Sequence, residues 1–168
     1  MSYKKAGLIS GAVGGVVLAA IGASLVTGDE LNEQAQAIPG VDSQAITVYR
    51  SESCSCCKSW VDHLEKNGFQ VEDVVTDNMR SIKRTHGVPR QMQSCHTAVL
   101  GDVVIEGHVP ASDIRAYLKE PLFNTQGLAV PGMVSGSPGM ETGRKDNFSV
   151  IAFNQNGGTS VFSEYKDY

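Results

Sequence analysis

No run of lysine or arginine is longer than the pairs Lys4-Lys5, Lys83-Arg84 and Arg144-Lys145, and the net charge is −4 with an isoelectric point near 5.5. The chain therefore lacks the dense positive surface that a phosphate backbone requires, and nucleic acid is not an expected partner. Cysteine is also scarce, at four in 168 residues, whereas 41% of the residues are hydrophobic. One ordinary core of about 110 to 130 residues can be buried, so a single domain is expected that does not depend on disulfides to fold. Charge is missing altogether from Ala6 to Val26, a stretch of twenty-one residues that follows Lys4 and Lys5 and precedes Asp29 and Glu30. Those flanks read as a membrane anchor with its N-terminus inside, which puts the rest of the chain on the periplasmic side of the inner membrane. No cysteine lies near the end of the apolar run, so a lipid-attached N-terminus is not indicated. The rival is a cleaved signal peptide and a soluble periplasmic protein. Ala35-Gln36-Ala37 has the small-x-small pattern for cleavage, although it sits well beyond the apolar run.

The expected organisation is a signal anchor or signal peptide over 1–27, a linker over 28–43 and a folded domain over 44–168. The linker is polar and carries Pro39-Gly40, as suits a tether. Ala45 to Arg50 alternates as a strand does, and Cys57 to Asn67 places Trp60, Val61 and Leu64 at helical spacing before the Asn67-Gly68 stop. Phe69 to Thr76 reads as a second strand and Asn78 to His86 as a short helix ending at Gly87. Thr97–Leu100 and Val103–Ile105 form a hairpin around Gly101-Asp102, and Ser112 to Lys119 is a last helix. The order β-α-β-α-β-β-α is that of a thioredoxin-like α/β fold. A loop rich in Gly, Pro and Ser follows from Gln126 to Arg144, and it holds Pro131-Gly132-Met133 and Pro138-Gly139-Met140. Each Pro-Gly can set a turn that delivers a methionine. Phe148–Phe153 and Thr159–Tyr165 read as a C-terminal β-hairpin that extends or covers the sheet.

Three of the four cysteines fall within four residues, Cys54-Ser55-Cys56-Cys57, directly after the first strand, and the fourth, Cys95, is followed at once by His96. Such a cluster is awkward as a disulfide framework, because bridging neighbours strains the peptide. In a thioredoxin-like fold the segment Ser94-Cys95-His96-Thr97 returns over the cysteine motif, with His96 where thioredoxins carry a cis-proline. Gly107-His108-Val109-Pro110 then approaches from the same side. Helix N-terminal placement favours thiolate over thiol. Soft thiolate, thioether and imidazole donors together favour copper over a hard cation, and Cu(I) ions bridged by sulfur would relieve the repulsion among crowded thiolates. The metal set expected is thus Cys54, Cys56, Cys57, Cys95, His96, His108, Met133 and Met140. Zinc is the simpler metal for three cysteines and a histidine, but it has no use for the methionines. Two further readings stay open: a thiol-disulfide oxidoreductase using Cys54 and Cys57 as its redox pair, and a passive storage or chaperone module that docks on an exporter. His63 and His86 are expected on the surface, and Trp60 is expected to pack α-helix on sheet without touching the chemistry.

Cys-x-Cys-Cys, Ser-Cys-His-Thr, Gly-His-Val-Pro and the stretch Gly127-Leu-Ala-Val-Pro-Gly-Met133 with Gly136-Ser-Pro-Gly-Met-Glu141 occur in that order. Together they resemble the CopG-type copper-resistance proteins, a bacterial envelope family, over about Ala45 to Phe153. The resemblance implies a thioredoxin-like domain that binds a cysteine-bridged cluster of copper ions and takes part in copper redox handling. An envelope copper exporter or an electron donor is the partner such a role calls for.

Overall fold

The computed structural model describes residues 45–168. The anchor or signal peptide read over 1–27 and the linker over 28–43 lie outside the described residues. Among the described residues no helix is long and apolar enough to cross a membrane.

The elements are β1 (Ile46–Arg50), α1 (Ser55–Lys66), β2 (Val71–Val75), α2 (Met79–Thr85), a 3₁₀ turn (Arg90–Met92), β3 (Thr97–Leu100), β4 (Val103–Glu106), α3 (Ala111–Lys119), β5 (Gly127–Ala129), β6 (Phe148–Phe153) and β7 (Thr159–Tyr165). They form a mixed α/β domain around one seven-stranded sheet in the order β2-β1-β3-β4-β5-β6-β7. The first seven elements apart from the 3₁₀ turn follow the predicted β-α-β-α-β-β-α order, because each carries its own period. β1 alternates buried and half-buried residues, and α1 buries Cys57, Trp60, Val61 and Leu64 on one stripe. The terminal hairpin has its predicted bounds and extends the sheet through antiparallel pairing of β6 with β5. β5 is an addition: the sequence reads as loop there. Its three residues are all buried, so no alternation marks them, and only pairing alongside β4 makes them a strand.

Sheet direction decides where the loops meet. β1 and β4 are both antiparallel to β3, and β5 is parallel to β4. The C-terminal ends of β1, β4 and β5 and the start of β3 therefore lie at one end of the sheet. The segments after Arg50, before Thr97, after Glu106 and after Ala129 converge there. The main core lies between the sheet and α1 with α3, where Trp60, Leu64, Ile114 and Tyr117 meet Ile46, Val48, Ile105 and Leu128. A smaller cluster of Val88, Met92, Val104, Ala129 and Phe153 forms a second core.

Candidate metal centre

Cys54 is the N-cap of α1, with Cys56 and Cys57 in its first turn. This is the predicted placement. The Sγ atoms of Cys54, Cys56, Cys57 and Cys95 all lie within 4.8 Å of one another. Cys54 and Cys57 are joined by a disulfide with Cα atoms 5.3 Å apart, while Cys56 and Cys95 are free thiols. The strain argument applies to adjacent cysteines. A three-residue step around the start of a helix brings the side chains within bridging range instead. Cys56 Sγ stands 3.5 Å from Cys54 Sγ.

Cys95 is bracketed by imidazoles, with His96 Nδ1 at 3.3 Å and His108 Nε2 at 3.2 Å from its Sγ. The three also form a group whose donor atoms lie within 4.8 Å of one another. The hydrogen-bond pattern assigns the protons. His108 Nδ1 is 2.8 Å from the Pro138 carbonyl oxygen, which can only accept, so Nδ1 carries the hydrogen and Nε2 presents its lone pair to the thiol. Cys95 then donates its S–H to His108, and His96 donates Nδ1–H to the sulfur. His96 Nε2 is buried and has no hydrogen-bond partner among the described residues. Burial drives the pKa of both imidazoles down and pushes the Cys95 thiol up to about 11, with the neighbouring Cys56 adding to the latter shift and the Ser94 hydroxyl opposing it. These shifts favour neutral imidazoles and a protonated Cys95 thiol at neutral pH.

The two methionine turns are tied to this centre differently. Gly132 N–H donates to the Gln93 carbonyl and Ser94 Oγ donates to the Gly132 carbonyl at 2.5 Å, which fixes the turn, but Met133 itself is 53% exposed. Met140 is half-buried, and its turn sits directly on α1. A Cβ on Gly139 would stand 2.8 Å from the Cys56 carbonyl oxygen and 2.7 Å from the Trp60 nitrogen, so only glycine allows this approach.

Several residues at the site were misread or unseen in the sequence. Trp60 does touch the centre: its ring lies 4.4 Å from that of His96, and its Nε1 donates to the Val109 carbonyl at 2.9 Å. His63 is half-buried, because its Nε2 accepts the Ala111 N–H at the start of α3, and half-buried His86 stacks on Tyr49. Glu106 and Lys83 are fully or nearly buried beside Ser94 and Thr97. The one sequence signal for Glu106 is an acid closing an otherwise apolar strand.

This mixed α/β domain gathers four sulfurs and two imidazoles at one end of its sheet, in groups that could hold a metal ion. Residues 92–140 match a family described as "Protein of unknown function, DUF411". No curated protein matches the chain. Two solved structures do, titled "Copper resistance protein copG- Form 2" and "Copper resistance protein copG- Form 1". The first is 48% identical with a TM-score of 0.68, over 73% of this chain and 98% of that one. The second has the same identity and TM-score, over 72% of this chain and 96% of that one. Identity at that level across nearly the whole of the solved chains goes beyond a shared fold, and the chain belongs to the CopG-type copper-resistance family.

Proposed function

We propose that this chain is an envelope copper protein whose thioredoxin-like domain holds Cu(I) as a cysteine-bridged cluster and takes part in copper resistance through Cu(I)/Cu(II) redox handling. The observation that carries the reading is the meeting of four sulfurs within 4.8 Å, with two buried imidazoles 3.2 and 3.3 Å from the Cys95 sulfur. Soft sulfur and imidazole donors at that density suit Cu(I), and positive ions between them offset the thiolate repulsion that a single ion would leave. The ligands proposed are Cys54, Cys56, Cys57, Cys95, His96 and His108, with Met133 or Met140 capping the cluster. Because Cys54 and Cys57 must be thiolates to bind, two electrons have to enter their disulfide before the full set is available. An electron donor in the envelope would meet that requirement, a copper exporter is a partner for the metal itself, and the charge-free segment Ala6–Val26 reads as an inner-membrane anchor.

Anaerobic titration of the reduced protein against a calibrated Cu(I) chelator tests this. More than one Cu(I) per chain is expected, and saturation at one equivalent or fewer would reject the cluster. The disulfide supports a second reading, in which Cys54 and Cys57 serve as a thiol-disulfide oxidoreductase pair. Thiol exchange at full rate in a protein that takes up no copper would favour it.

A further inference from the structure

The segment that carries Cys95 and His96 is held from beneath by one buried carboxylate. Glu106 Oε1 accepts the Ser94 backbone N–H at 2.6 Å and the Lys83 ammonium at 2.5 Å, while Oε2 accepts the Thr97 hydroxyl at 2.7 Å. Lys83 Nζ also donates to Thr97 Oγ1 at 3.1 Å, which closes the network. Ser94 and Thr97 are the two residues that flank Cys95-His96, so a single side chain grips the segment on both sides. Glu106 is fully buried and Lys83 nearly so.

The same carboxylate lies two residues before His108. Between them, Gly107 N–H donates to the His96 carbonyl at 3.1 Å. A Cβ on Gly107 would come within 2.6 Å of both Ser94 Cβ and the Val130 carbonyl oxygen, so the turn bearing His108 is pressed against the segment bearing Cys95. Ser94 passes the restraint on, since its hydroxyl holds the Gly132 carbonyl of the turn before Met133. A buried hydrogen-bonded network of this kind restrains its members, and loss of one frees the others.

We propose that Glu106, paired with Lys83, is the positioning residue of the metal centre, setting the Cys95, His96 and His108 donor atoms in one geometry without itself touching the metal. Two strands and a helix contribute to the grip: β4 supplies Glu106, β3 supplies Thr97 and α2 supplies Lys83. Residues that orient ligands in this way set affinity by about 10- to 100-fold. The copper readout of this inference rests on the function proposed above, whereas the geometry of Cys95 can be read without any metal.

The test uses two charge-neutral double variants, because removing one partner alone strands a buried charge. Lys83→Met/Glu106→Leu abolishes the grip, and Lys83→Met/Glu106→Gln leaves one amide oxygen as an acceptor. In the metal-free protein with the Cys54–Cys57 disulfide intact, only Cys56 and Cys95 can be alkylated, and Cys56 serves as the internal reference. Iodoacetamide labelling followed by peptide mass spectrometry should show the Cys95-to-Cys56 rate ratio rising about tenfold in the leucine variant as the segment opens locally, and less in the glutamine variant. Cu(I) affinity of the reduced variants should fall by about 10- to 100-fold. A wild-type labelling ratio in a folded leucine variant overturns the proposal. If that variant does not fold, an unchanged ratio in the glutamine variant overturns it equally. A shifted ratio in a protein that binds no copper leaves the positioning role standing and removes the copper reading.

Discussion

His108 reaches Cys95 with one ring nitrogen, 3.2 Å from the sulfur, while its other nitrogen is tied to the Pro138 carbonyl at 2.8 Å. One imidazole thus links the Ser-Cys-His-Thr segment to the turn that carries Met140, and the carbonyl decides which nitrogen is free to face the sulfur. The loop after β5 is therefore part of the centre whether or not its methionines bind a metal.

Cys56 separates copper chemistry from disulfide chemistry, since it is a free thiol outside the Cys54–Cys57 bridge. Cys56→Ser should lower the number of Cu(I) ions held per reduced chain while leaving the Cys54/Cys57 couple able to cycle. Chelator competition and thiol titration check the two halves. Unchanged copper stoichiometry would favour the exchanger.

Gly139→Ala should displace the Met140 turn from α1, because the new methyl group would collide with the Cys56 carbonyl and the Trp60 backbone, and because Gly139 has a φ of +80°. A loss of about 1–3 kcal/mol is expected from overpacking and backbone strain, read as a shift in the urea midpoint. The Trp60 fluorescence of the native baseline should change as well. A variant with wild-type midpoint and spectrum would show that this approach is loose.

Replacing Met133 and Met140 together with leucine keeps the loop apolar at similar volume, so metal-free stability should change by less than about 1.5 kcal/mol. Cu(I) affinity should fall as a thioether donor is lost. The exposure of Met133 and the half-burial of Met140 make the single Met140→Leu variant the informative comparison, and it is expected to carry most of the loss. Equal affinities in wild type and double variant would confine the ligands to sulfur of cysteine and nitrogen of histidine.

Acid should destabilise the metal-free protein. Burial lowers the pKa of His63, His96 and His108 in the folded state, so the unfolded chain binds more protons as pH drops below about 6.5. Their contribution is complete above that value and is lost as pH falls toward the folded values. Glu106 acts in the other direction: burial raises its carboxyl, so its contribution is greatest in acid and is lost as pH rises through the folded value. Three histidines against one carboxyl predict a urea midpoint that decreases from pH 7 to pH 5. A midpoint that rises over that range would contradict the burial of neutral imidazoles.

The sequence by itself determined the parts. Alternation in β1, the apolar stripe ending at Asn67-Gly68 in α1, and the two terminal runs around Gln155–Gly158 each encode a period or a stop that the chain reads locally. The cysteine spacing likewise put Cys54 at the cap of α1 and Cys56 and Cys57 in its first turn. The four ordered motifs were enough to point to the copper-resistance family. What only the tertiary structure decided was the pairing among those parts. That Cys95 sits between two imidazoles, that Trp60 lies against His96, and that β5 is a strand at all depend on how strands from distant segments pair. Glu106 shows the limit most plainly, because an acid at the end of an apolar strand looks like a solvent-facing terminus. It is buried and accepts three hydrogen bonds, with Lys83 as its counter-charge from twenty-three residues away, and no local period carries that distance.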